Sequence, residues 1–122
     1  MSGESYVTRA DVLPLTTAAM VWFRDHYFGA GARDPKVTKD WRASPALAAN
    51  LAKLPAAYVV TGGYDVLCDE GRAYADQLAS AGVAVERAHY PGLFHGFIGM
   101  GRIVQAANGA VDGCGRAVKR AL

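Results

Sequence analysis

The sequence contains few cysteines, no long hydrophobic run and little net charge, and each of these shortages excludes a class of protein. The two cysteines, Cys68 and Cys114, lack the spacing of metal ligands, which favours free thiols in a reducing compartment. No apolar run approaches the roughly 18 residues of a membrane-spanning helix, and the N-terminus lacks the features of a signal peptide. The net charge of +2, with both signs interspersed, argues against nucleic acid or a membrane as partner. We therefore expect a cytoplasmic protein.

The overall composition is that of a globular protein with a hydrophobic core. Hydrophobic residues make up 52% and charged residues 20% of the 122 residues, which excludes a disordered chain. A chain of this length has room for one domain, which buries about two-thirds of the surface that the unfolded chain exposes. We therefore treat residues 1–122 as belonging to a single domain.

The centre of the chain has the pattern of a strand, a helix and a second strand. Residues 56–61 are a nearly continuous apolar run that ends at a Gly-Gly pair, which is typical of a strand buried on both faces. Residues 83–90 form the second strand, which we expect Pro91-Gly92 to end, and a helix of about 12 residues ends at Gly82 between them. A helical connection predicts parallel strands and a right-handed crossover. The fold class is therefore α/β.

Helices are predicted on both sides of this unit. Apolar residues recur at helical spacing over residues 15–28, where Trp22 and Phe23 are expected to pack on the sheet and His26 to be a core or interface histidine. Residues 29–54 form a long irregular connection. A terminal helix is predicted from a second apolar stripe, which consists of Ile103, Val104, Ala107, Val111, Cys114, Val118 and Leu122.

Two parallel strands are too few for a stable sheet. The strand at residues 56–61 has no predicted partner for its second edge, and natural proteins avoid exposing such a row of backbone groups. The pattern therefore indicates a piece of a larger fold. A homodimer, or a partner chain that supplies the N-terminal part of the fold, is a possible way to cover this edge.

Two residues that can carry chemistry follow the two strands. Asp65 lies just past the first strand, separated from its Gly-Gly pair by Tyr64 alone, and His95 follows the second strand by five residues. Functional sites of parallel sheets form at the carboxyl ends of strands. A carboxylate that holds an imidazole is the arrangement that a general base needs. We prefer Asp65 to Asp69, because Asp69 is explained as a helix cap and Asp65 has no such structural role. The alternative is that Asp65 is a turn residue and His95 a loop residue.

Two motifs link the chain to a known family. The segment Gly63-Tyr64-Asp65-Val66-Leu67-Cys68-Asp69-Glu70-Gly71 and the segment Tyr90-Pro91-Gly92-Leu93-Phe94-His95-Gly96-Phe97 resemble the hormone-sensitive-lipase-like carboxylesterases of the α/β-hydrolase fold. The resemblance implies that residues 1–122 are a C-terminal segment of that fold. It also implies that Asp65 is the acid and His95 the base of a catalytic triad. In the full-length fold the substrate would be a small-molecule ester, with no metal and no cofactor.

The sequence departs from the family pattern in four respects. Val66 stands where the family usually has Pro, and Cys68 stands where it often has Arg. None of the four serines, Ser2, Ser5, Ser44 and Ser80, lies in a Gly-x-Ser-x-Gly nucleophile motif, and the His-Gly-Gly oxyanion motif is also absent. We therefore expect a carboxylic ester hydrolase segment that is inactive alone. The alternative is a non-catalytic truncated remnant, or one piece of a split protein, that associates through its exposed strand edge.

Overall fold

The computed structural model describes residues 3–122 and contains α-helices on both sides of a parallel strand pair. In chain order the elements are α1 Ser5–Thr8, α2 Thr17–Phe28, α3 Pro35–Thr38, β1 Ala57–Tyr64, α4 Cys68–Ser80, β2 Val85–Phe94 and α5 Gln105–Ala121. Short 3₁₀ turns occur at Gly29–Gly31, Pro45–Leu47 and Phe97–Gly99. The α/β prediction is confirmed, with both strands and the flanking helices close to their predicted positions.

The two strands form a parallel pair, as the helical connection predicted. The register runs from Ala57 opposite Val85 to Gly62 opposite Tyr90, and an irregularity follows before Tyr64 pairs with Phe94. The strands therefore extend beyond residues 61 and 90, and the prediction that Pro91-Gly92 ends the second strand was wrong. Proline has no N–H to donate, so the pairing shifts around it instead of stopping, as in a β-bulge.

Burial in the sheet is lower than the sequence predicted. Within β1 only Gly62 is buried, so the expectation of a strand buried on both faces was wrong for the described residues. The reason is that β1 pairs with β2 along one edge, and the sheet within residues 3–122 has two strands. Helix α4 covers part of the sheet through its buried residues Cys68, Ala75 and Leu78.

The hydrophobic core lies between α5, the sheet and the turn after β2. Phe97, Ala107 and Ala110 form its buried centre, and the surrounding partly buried residues are Val60, Tyr90, Leu93 and Val104. The apolar stripe predicted for the last helix was partly wrong, because Ile103, Val111, Val118 and Leu122 are exposed. The face that α5 buries consists instead of Ala107, Ala110 and Gly113. Small residues allow the helix to approach the sheet closely.

Helix α2 forms as predicted, but its apolar face is not covered. The Thr16 side chain accepts a hydrogen bond from the Ala19 N–H and caps the N-terminus of the helix. Trp22 and Phe23 are 55% and 53% exposed, so the expectation that they pack on the sheet was wrong within residues 3–122. His26 is also exposed, where its ring stacks on Trp22, and it is therefore not a core histidine.

The length and composition of the helices determine whether any of them could cross a membrane. Among residues 3–122, no helix combines the length and the apolar character that crossing a bilayer requires.

Candidate active site

The structure brings Asp65 and His95 into direct contact. Asp65 follows Tyr64, the last residue of β1, and His95 follows Phe94, the last residue of β2. Because the strands are parallel, their carboxyl ends meet at one edge of the sheet. The His95 Nδ1 atom lies 2.9 Å from Asp65 Oδ2, although the residues are 30 positions apart in sequence. A βαβ unit therefore places the acid and the imidazole together.

Both carboxylate oxygens of Asp65 accept hydrogen bonds. Oδ1 accepts from the Leu67 backbone N–H at 2.9 Å, and Oδ2 accepts from His95 Nδ1–H. The expectation that Asp65 has no structural role was therefore wrong, because the first of these bonds closes the turn that leads into α4. The second bond fixes the imidazole tautomer, which leaves Nε2 as the nitrogen that can accept a proton.

The two side chains differ in their access to solvent. The Asp65 side chain is 12% exposed, whereas the His95 side chain is 41% exposed. A carboxylate shielded from water interacts more strongly with an imidazolium than an exposed one does. The arrangement therefore suits a largely shielded acid that orients an accessible base.

Two glycines make this geometry possible. A Cβ at Gly63 would collide with the backbone carbonyl of Pro91, so only glycine allows the strands to approach this closely just before Asp65. Gly96 directly follows His95 and has a φ of 74°, a left-handed conformation that glycine adopts without strain. The chain can therefore turn sharply after His95 into the 3₁₀ turn at Phe97–Gly99.

Asp69 does not cap α4, contrary to the sequence-based expectation. Leu67 is the capping residue and makes no side-chain cap bond. Asp69 Oδ2 instead accepts a hydrogen bond of 2.7 Å from the backbone N–H of Ser5, 64 residues earlier. The preference for Asp65 over Asp69 as the partner of His95 agrees with this geometry. Sequence reasoning missed Ser5, because no local pattern shows that α1 packs beside Asp65.

The described serines make other contacts. The Ser5 hydroxyl donates to the Val66 carbonyl, and the Ser44 hydroxyl donates to the Thr38 carbonyl. Ser80 is exposed at the end of α4, far along the helix from Asp65. Ser2 lies outside the described residues. Within residues 3–122, no serine hydroxyl is hydrogen-bonded to His95.

The remaining candidates have structural explanations. His89 is exposed and pairs across the strands with the Thr61 hydroxyl at 2.9 Å. Phe97, two residues after His95, is buried in the hydrophobic core. Cys68 and Cys114 are both free thiols, as expected. Burial raises the pKa of the Cys68 thiol, and the nearby negative charge of Asp69 raises it further. Among residues 3–122, no cluster of three or more His, Cys, Asp or Glu side chains is placed to hold a metal ion.

Comparison with known proteins identifies relatives. The sequence model of a family described as alpha/beta hydrolase fold matches residues 1–99. Esterase LipI of Mycobacterium tuberculosis is 45% identical over 69 residues, which are 57% of this chain and 22% of LipI. Ethyl acetate hydrolase of Pseudomonas putida is 35% identical over 106 residues, which are 87% of this chain and 30% of that protein.

Solved structures agree with these matches. The hyperthermophilic esterase from the archaeon Pyrobaculum calidifontis superposes with a TM-score of 0.88 at 33% identity, over 97% of this chain and 38% of that chain. The chain thus spans between 22% and 38% of the length of these three relatives. The chain belongs to the alpha/beta hydrolase fold family, in its hormone-sensitive-lipase-like carboxylesterase branch.

Proposed function

We propose that the chain supplies the acid and the base of a serine carboxylic ester hydrolase, with His95 as the base and Asp65 as the acid. The observation that carries the proposal is the 2.9 Å contact between His95 Nδ1 and Asp65 Oδ2 at the carboxyl ends of two parallel strands. The esterase names of its relatives support a small-molecule carboxylic ester as the substrate.

The geometry suggests a role for each group. His95 Nε2 removes the proton from a serine hydroxyl as the hydroxyl oxygen attacks the ester carbonyl, and it later returns a proton to the leaving alcohol. Asp65 holds the ring by its Nδ1–H and stabilises the imidazolium that forms. The Leu67 N–H keeps the carboxylate in place during both steps.

We also propose that these 122 residues alone do not hydrolyse esters. None of the four serines lies in a Gly-x-Ser-x-Gly motif, and Ser5 is 4% exposed with its hydroxyl bound to Val66. Without a nucleophile no acyl-enzyme can form, and the loss of one triad member lowers the rate by roughly 10⁴-fold or more. The serine and the oxyanion donors would then come from polypeptide outside these residues.

Ester hydrolysis by the purified chain tests this part of the proposal. We expect the wild-type chain to hydrolyse p-nitrophenyl acetate and p-nitrophenyl butyrate no faster than the Asp65→Asn and His95→Ala variants do. We also expect that a serine-directed fluorophosphonate does not label the chain. Labelling of a serine, together with turnover that both variants lose, would show that the chain carries its own nucleophile.

A second candidate function is association with another polypeptide without catalysis. Two observations favour it: within residues 3–122 the second edge of β1 pairs with no strand, and Trp22 and Phe23 of α2 are about half exposed. Exposed apolar patches of this kind mark interaction sites. Size-exclusion chromatography with light scattering tests the idea, because association gives a mass above 12.9 kDa. A monomer at all concentrations would contradict it.

A further inference from the structure

The N-terminal segment contacts the chain on both sides of Asp65. We call residues 4–9 the α1 segment, since they contain the single turn of helix α1. It is hydrogen-bonded to Gly63 on the strand side of Asp65, and to Val66 and the first turn of α4 on the helix side. A segment that is hydrogen-bonded to the chain on both sides of a residue restrains the position of that residue.

Ser5 makes the contacts on the helix side. Its hydroxyl donates to the Val66 carbonyl at 2.6 Å, and its backbone N–H donates to Asp69 Oδ2 at 2.7 Å. Ser5 is 4% exposed and Val66 is fully buried, so water does not compete for the first of these bonds. Neighbouring Tyr6 adds a bond of 2.8 Å from its phenol to Glu70.

Arg9 makes the contacts on the strand side. Its Nε–H donates to the Gly63 carbonyl at 3.0 Å, and its guanidinium lies 5.1 Å from the centre of the Tyr64 ring. A cation over an aromatic face attracts the ring, so Arg9 holds both residues that precede Asp65.

One peptide unit connects Ser5 to the carboxylate. The carbonyl that accepts from Ser5 is that of Val66, and the N–H that donates to Asp65 Oδ1 is that of Leu67. These two groups belong to the same peptide bond, which is planar, so fixing the carbonyl direction also fixes the direction of the N–H. The chain of bonds therefore runs from Ser5 through this peptide and Asp65 to His95 Nδ1. Bonds in such a chain polarise one another.

We infer that Ser5 is a positioning residue for Asp65, acting through the Val66–Leu67 peptide, and that Arg9 supports the same turn from the strand side. The inference rests on the proposed function, because it assigns Ser5 a role in orienting His95. Ser5 touches neither His95 nor any reacting atom. Its effect is to hold Asp65 Oδ1, so that Oδ2 stays directed at the imidazole.

The tautomer of His95 in the complete chain tests this inference. In ¹⁵N-labelled wild-type protein, two-bond ¹H–¹⁵N correlations show which ring nitrogen carries the proton, and we expect Nδ1–H. Ser5→Ala should lose this preference and the slow exchange of the Nδ1 proton. Thr8→Val is the matched control, because the Thr8 hydroxyl bonds within the α1 segment, to Glu4, and it should retain both. A purely structural role for Ser5 would lower the melting temperature and leave the tautomer unchanged.

The variants separate the inference from the proposed function. If Asp65→Ala loses the Nδ1–H tautomer but folded Ser5→Ala keeps it, the inference fails and the proposed pair stands. If Asp65→Ala keeps it, the pair does not form in solution, and both fail. Should Ser5→Ala not fold, Arg9→Met provides the test from the strand side: weaker protection of the Nδ1 proton supports the inference, and unchanged protection overturns it.

Discussion

At the scale of single residues, the site depends on which hydrogen bonds each polar side-chain atom makes. Asp65 accepts one hydrogen bond on each carboxylate oxygen, whereas Asp69, four residues later, is bound to Ser5. The sequence-based preference for Asp65 rested on Asp69 being a helix cap and on Asp65 having no structural role, and the structure contradicts both reasons. The Ser5 contact links residues 64 positions apart, and sequence spacing contains no signal for it.

The cysteines give a prediction at the same scale. Cys68 is 7% exposed, and burial raises the pKa of its thiol, so less of the reactive thiolate is present at neutral pH. Cys114 is partly exposed on α5. We expect iodoacetamide to modify Cys114 before Cys68 in the native chain, as followed by mass spectrometry of peptides. Equal rates in the native chain would contradict the packing of Cys68, and equal rates in urea serve as the control.

At the scale of elements, the sequence predicted the order and kind of elements better than their surroundings. The βαβ unit, the helix at 15–28 and the terminal helix were all expected, because periodicity and glycine positions are local signals. The ends of the strands were missed, since a bulge around Pro91 continues the pairing. The exposure of Trp22 was missed as well, because an apolar stripe predicts a covered face but does not specify what covers it.

The close approach of the strands gives a prediction for Gly63. An alanine there would place its Cβ against the Pro91 carbonyl, whereas Gly92, on the adjoining strand, has open space at its Cβ position. We expect Gly63→Ala to lower the free energy of unfolding by about 1–3 kcal/mol, as overpacking does. Gly92→Ala is the matched control and should change it by less than about 0.5 kcal/mol. Equilibrium urea unfolding measures both, and equal effects would mean that the strands are farther apart than described.

The contact between α1 and α4 gives a prediction that depends on pH. The phenol of Tyr6 donates to Glu70, so Tyr6→Phe should lower the free energy of unfolding at pH 7 by about 1–2 kcal/mol. Burial raises the pKa of Tyr6 above its usual value, and the bond to Glu70 and its charge raise it further. The folded state therefore keeps the phenol proton while the unfolded state loses it above about pH 10, and stability falls as pH rises.

The sign of this effect determines the comparison with the variant. Tyr6→Phe has no phenol to ionise, so the difference in unfolding free energy between wild type and variant should shrink as the pH rises above about 10. Denaturant unfolding between pH 7 and pH 11 measures the difference. A difference in unfolding free energy that stays constant or increases with pH would show that the Tyr6 phenol is not buried against Glu70.

At the scale of the whole molecule, the chain spans only part of the length of its relatives. It spans 30% of the length of ethyl acetate hydrolase, and β1 pairs with β2 alone within residues 3–122. The proposed acid and base are nevertheless assembled, because one βαβ unit carries both. In the proposed triad, the nucleophile would come from outside this unit.

A chimera measures the central claim most directly. The segment of Pseudomonas putida ethyl acetate hydrolase that matches this chain would be replaced by the corresponding residues of this chain, and ethyl acetate hydrolysis would be followed. The account predicts an active chimera in which His95→Ala and Asp65→Asn each lower kcat by about 10⁴-fold or more. His89→Ala is the control, because His89 lies in β2 and does not contact Asp65, and it should have little effect. A folded, active chimera that retains its rate after His95→Ala would contradict the account.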